Sequence, residues 1–159
     1  MSAVAGLDTR LTDDHHESLR LWLRLLTCTH LIETHVRKAL ATQFKTTLPR
    51  FDLMAQLERA PQGLKMGELS RRMLVTGGNV TGIVDQLERA GLIVRTEDPA
   101  DRRAYLVKLT KEGRRLFAQM AAQHEAWIVS LFSGIPKREQ RSLNESLLRL
   151  RAQLTRKPL

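Results

Sequence analysis

The chain has 159 residues, with 26 Lys and Arg against 17 Asp and Glu, and its formal net charge of +9 points toward polyanionic partners. A single cysteine excludes a disulfide framework within one copy and fits a reducing cytoplasm. Aromatic residues make up 4% of the chain, too few for the stacking platforms of single-strand binding, so duplex DNA is the better match.

The first residues place Asp8, Asp13, Asp14 and Glu17 against one arginine, Arg10, so no secretory signal is expected. A long helix is predicted from Asp13 to about Lys45. Leu21, Leu25, Cys28, Ile32, Val36 and Ala39 form its apolar stripe, widened by Trp22, Leu26 and Leu40. Thr47 as N-cap and Pro49 in the first turn predict a second helix, Arg50 to Arg59. A short helix, Gly67 to Met73, is followed by one whose apolar face is Val80, Ile83, Val84 and Leu87. Thr76 is its predicted cap, and Gly91 is predicted to take the left-handed position past its end. Two short helices so joined have helix-turn-helix spacing.

Leu92 to Thr96 and Tyr105 to Leu109 read as strands, connected by Glu97 to Arg103. Thr110 caps a helix from Lys111 to about Phe132, and a last helix runs from Pro136 to about Arg156. Leu143, Leu147, Leu150 and Leu154 form a seam on the last helix that needs a cover, either the first and fifth helices of the same chain or a second chain. The order of elements is that of a winged helix, in a mainly α fold with a small β-hairpin.

In such a fold the second helix of the motif enters the major groove. A hairpin carrying Arg102 and Arg103 suits the electronegative minor groove beside it. Asp101 is expected to pair with Arg103 or Arg95 and fix their direction. Asn79 and Thr81 suit base edges or phosphates. Gly77 and Gly78 allow a phosphate close to the helix start, and Gly82 suggests close backbone approach to DNA. Arg71 and Arg72 are phosphate-contact candidates.

These residues carry a family resemblance. The stretch "ELSRRMLVTGGNVTGIVDQLERAGLIVRTEDPADRRAYLVKLTKEGRRL" resembles the winged-helix core of the MarR family of bacterial transcriptional regulators. The carrying pieces are Asn79-Val80-Thr81, "VDQLERAGLIVR", Asp101-Arg102-Arg103 and "LTKEG". Gly82 departs from the pattern, where an arginine often follows the threonine. The resemblance implies a homodimer with a helical dimerisation region at 13–46 and 111–157, and a DNA-binding winged helix at 47–110. It also implies a repressor of an aromatic-compound catabolic operon, released by an aromatic carboxylate or its coenzyme A thioester, with a hydroxycinnamoyl thioester as the guess. Trp22, Leu26, Phe51, Met54 and His124 would supply apolar walls for that effector. His30, His35 or Arg50 would meet an acid group, and Arg37, Lys38 and Lys45 coenzyme phosphates.

Other readings have less behind them. No glycine-rich phosphate loop, nucleophile elbow or carboxylate pair supports an enzyme. The histidines lack metal-ligand spacing, and no cofactor is expected. Cys28 as a redox switch conflicts with its place on an apolar stripe. A sequence-independent architectural DNA binder fits the charge but leaves the capped helix and its wing unexplained.

Overall fold

The computed structural model describes residues 16–73 and 79–156. Its elements are α1 (Glu17–Phe44), α2 (Leu48–Glu58), α3 (Met66–Arg72), α4 (Val80–Arg89), β1 (Ile93–Asp98), β2 (Asp101–Leu109), α5 (Lys111–Leu131) and α6 (Lys137–Arg156). The fold is mostly helical with one antiparallel hairpin, as expected. None of the described helices is long and apolar enough to cross a membrane. The chain divides into two compact units, residues 1–124 and 125–159.

In the first unit, α2 lies deepest. Thr47 Oγ1 accepts the Arg50 N–H at 3.4 Å, and Pro49 sits in the first turn, where its missing N–H costs nothing. Phe51, Leu53, Met54 and Leu57 are all buried on it, so its apolar residues surround the helix rather than marking one face. Leu69 from α3, Val84 and Leu87 from α4, Val107 from β2 and Met120 from α5 complete the fully buried set with Leu40 of α1. Each such side chain contributes about 1.5–3 kcal/mol through removal from water.

The stripe expected on α1 is only partly covered. Its buried residues are Leu23, Val36 and Leu40, while Leu21, Trp22 and Leu26 are exposed and so is Cys28. Alternating apolar and charged residues over "LRLWLRLL" gave that segment two plausible faces, and a single copy covers neither fully. At its end Lys45 takes the left-handed conformation (φ 53°) and donates its N–H to Leu40 O.

The helix α4 starts later than predicted. Thr76 lies outside the described residues, and the cap is Asn79, whose Oδ1 accepts the Gly82 N–H at 3.0 Å. Its end follows the prediction. Gly91 is left-handed (φ 71°), its N–H reaches Glu88 O at 2.9 Å, and Leu92 N–H reaches Leu87 O at 3.0 Å.

The hairpin is longer and its turn tighter than predicted. Ile93 pairs with Leu109 and Glu97 with Tyr105, after which the register shifts so that Asp98 faces Asp101. Arg102, Arg103 and Ala104 therefore bulge from β2, and Pro99-Ala100 alone makes the turn. Asp98 closes it, with Oδ1 accepting the Ala100 N–H at 2.9 Å. Leu64 adds a short third rung, exchanging backbone hydrogen bonds of 2.8 and 3.0 Å with Val107.

Thr110 stitches the hairpin to α5. Its hydroxyl donates to Gly91 O at 2.7 Å and accepts the Gly113 N–H at 3.0 Å, while its own N–H reaches Leu92 O at 3.0 Å. Gly113 packs so closely here that a Cβ would lie 1.9 Å from Leu92 O.

In the second unit, the Gln140 side-chain amide donates to Phe132 O at 2.9 Å and Ile135 O at 2.7 Å, closing the turn before α6. No residue of α6 is buried. Leu143, Leu147, Leu148, Leu150 and Leu154 are all exposed, so the seam is left open among the described residues.

Candidate nucleic-acid interface

Burial on one side of α4 decides what its other side presents. Val80, Val84 and Leu87 point inward, which leaves Asn79, Thr81 and Arg89 exposed. Gly82 has a local reason. A Cβ on it would lie 2.9 Å from Asn79 Nδ2, so its bare backbone leaves room for the capping carboxamide to fold over the first turn. Gly78 and Thr76, two further candidates for DNA contact, lie outside the described residues along with Gly77.

Arg95 of β1 joins the hairpin to α4. Its guanidinium bridges Asp85 and Glu88, both on α4, and the Asp85 hydrogen bond is the main cause that raises the arginine's pKa. Asp101 therefore does not pair with Arg95. Its Oδ1 accepts the backbone N–H of Arg103 at 3.0 Å, so it shapes the bulge rather than the guanidinium. Arg102 and Arg103 are exposed and have no ion-pair partner among the described residues. On α3, Arg72 is held by Glu68 at 2.5 Å, whereas Arg71 is exposed and unpaired among the described residues.

The effector candidates fall into two groups. Phe51 stacks on Phe117 with ring centroids 5.5 Å apart and meets His124 in a tilted contact at 5.0 Å, where partial burial holds the imidazole below its ordinary pKa. Met54 is fully buried on the same helix as Phe51, and Arg50 Nε is buried without a hydrogen-bond partner among the described residues. Phe117 was not singled out in the sequence, because it reads as one more apolar position on a helix. Trp22, Leu26, His30, His35 and Lys38 are exposed on α1. Arg37 pairs with Glu33 at 3.4 Å, and Lys45 Nζ donates to Thr42 O at 3.2 Å. Among the described residues no cluster of His, Cys, Asp and Glu can hold a metal ion.

Residues 44–104 match the sequence model of the MarR family. The fold is that of a MarR-type winged helix. It is 38% identical over 85 residues to the HTH-type transcriptional regulator YkoM of Bacillus subtilis, and that match spans 54% of each chain, about half of the relative's length. The crystal structure of a MarR family transcriptional regulator from Silicibacter pomeroyi superposes with a TM-score of 0.77 at 29% identity, covering 91% of this chain and 99% of the other. The structure of CouR from Rhodococcus jostii RHA1 bound to p-coumaroyl-CoA gives 0.69 at 26% identity, covering 92% and 93%.

In this MarR-type winged helix, two residues that sequence reasoning missed hold the wing. Asp98 is buried, and Lys65 Nζ, at the N-cap of α3, lies 3.0 Å from its Oδ2. The Ala100 N–H first and Lys65 second hold the carboxyl below its ordinary value, and Asp98 in turn raises the lysine. The Asp-Pro step signals the turn, but no local pattern links it to a lysine on another element.

Proposed function

We propose that this protein is a cytoplasmic, homodimeric transcriptional regulator that binds operator DNA through two winged helices and is no enzyme. The observation that carries this reading is the pairing of a capped helix, α4, with a hairpin clamped to it through Arg95 and bearing two exposed, unpaired arginines. On one duplex, α4 would lie in the major groove, with Asn79 and Thr81 toward base edges. Arg102 and Arg103 would enter the adjacent minor groove, and Arg71 would meet phosphate. Arg72 and Gly82 act beside them, Arg72 as a charge already shared with Glu68 and Gly82 as the space for the Asn79 cap. A second copy would cover the leucines of α6 and repeat the site about one helical turn away.

The regulator is further proposed to repress an aromatic-compound catabolic operon until an aromatic carboxylate or its coenzyme A thioester binds, a hydroxycinnamoyl thioester being favoured. Support comes from the Phe51–Phe117–His124 cluster, from the orphaned Nε–H of Arg50 one residue away in sequence, and from the p-coumaroyl-CoA bound in CouR. Such a ligand acts only through a difference in affinity between DNA-competent and incompetent states.

The test is binding to the DNA upstream of its own gene, by fluorescence anisotropy across a salt series. Arg102→Ala with Arg103→Ala should weaken binding and flatten the salt dependence, by roughly 0.9 in log–log slope for each phosphate that is no longer neutralised. Wild-type binding that is no tighter to this duplex than to random DNA would overturn the operator reading in favour of an architectural one. p-Coumaroyl-CoA should release the duplex, and p-coumarate alone tests the free-acid alternative.

A further inference from the structure

A two-stranded hairpin has little stability of its own and no inherent reason to point in one direction. Here two consecutive residues outside it hold it at two heights. Leu64 exchanges two backbone hydrogen bonds with Val107 near its root, and Lys65 reaches Asp98 at the end of β1. Val107 faces Arg95, three residues before Asp98, so the two grips are about 10 Å apart along the strand. Because Lys65 is the N-cap of α3, both grips originate at the start of the helix-turn-helix motif.

We infer that Lys65 and Asp98 form a positioning device that aims the wing, so that Arg102 and Arg103 meet DNA in fixed register with α4. The inference rests on the DNA-binding reading above. Asp98 is suited to this role by chemistry as well as by place. Its carboxylate, with 9% of the side chain exposed, is satisfied on Oδ1 by the Ala100 N–H and on Oδ2 by Lys65, so one group fixes both the turn and its attachment. Lys65 is half exposed, and ion pairs of that kind contribute little to global stability. Its effect is therefore on direction. The ammonium is also committed to Asp98, which separates Lys65 from a lysine that contacts phosphate.

Three single variants, Lys65→Gln, Lys65→Glu and Asp98→Asn, distinguish these roles in the full-length protein. Each single change should weaken binding to the upstream duplex roughly tenfold, through poorer wing contact with phosphate and groove, and Lys65→Gln should do so without lowering the melting temperature appreciably. Combined with Arg102→Ala and Arg103→Ala, the same single changes should have no further effect, because a misaimed wing without its arginines has no grip on DNA to weaken. Additive effects in that background would show Lys65 acting on DNA directly and overturn the proposal. Hydrogen exchange of the Ala100 and Arg103 amides in the DNA-free protein supplies a separate reading. Lys65→Gln should speed both, and unchanged exchange refutes the device even if the wild-type protein were to bind no duplex at all.

Discussion

A methyl group is the smallest change that Gly113 can undergo, and there is no room for it. The obstructing atom is a backbone carbonyl, Leu92 O, already accepting from Thr110, so it cannot swing aside as a side-chain tip would. Gly113→Ala is expected to destabilise the protein by about 3 kcal/mol, the upper range for overpacking, measured as a drop in the urea midpoint at unchanged slope. Asp98 supplies a prediction in pH. Its carboxyl titrates below the ordinary 3.8 in the folded chain, so its contribution is present above that value and is lost as pH falls through the lowered one. The difference in melting temperature between wild type and Asp98→Asn should be level at neutral pH and close on acidification below about pH 4, with Lys65 still charged throughout. A difference that stayed constant to pH 2 would show that the carboxylate charge is not what matters.

Among the elements, α4 is the most instructive. Its inward face was legible from Val80, Val84 and Leu87, and its end from Gly91, because apolar periodicity and a left-handed glycine are local signals. Its start was misplaced by three residues, since Thr76 and Asn79 both have capping chemistry and only the backbone decides between them. The hairpin shows the same limit. The presence of two strands was legible, but the bulge that displaces Arg102 and Arg103 depends on the Asp98 turn and on a lysine from another element. Gly82→Ala tests the account of the helix start. Alanine adds about 1 kcal/mol of helix propensity but displaces the Asn79 carboxamide, whose cap is worth about as much. Melting temperature should therefore hardly change while duplex affinity falls. A rise in stability of the full 1 kcal/mol with unaltered affinity would show that the cap is dispensable.

At the scale of the whole molecule, the exposed leucines of α6 and the apolar residues left open on α1 are more than a single copy of this size needs to present to water. Light scattering at micromolar concentration should give twice the 18.1 kDa of one chain. Leu147→Glu with Leu150→Glu should shift that mass toward the monomer and abolish high-affinity DNA binding together. The stripes themselves were legible as helical periodicity. What covers them was not, because a helix that packs on its own chain and one that packs on a copy obey the same spacing. The aromatic cluster was half legible, with Phe51 and His124 named as effector candidates and Phe117 read only as an apolar position of its helix, since ring contacts across distant helices leave no mark in sequence.

The stitch at Thr110 has a mechanical consequence. Two hydrogen bonds from Thr110, its cap on the Gly113 N–H and a contact that tolerates no Cβ tie the first turn of α5 to the segment leaving α4, so no soft joint separates them. Tilting the root of α5 must carry α4 along as one stiff bracket, and any change in the angle of that bracket must find its compliance elsewhere in the chain.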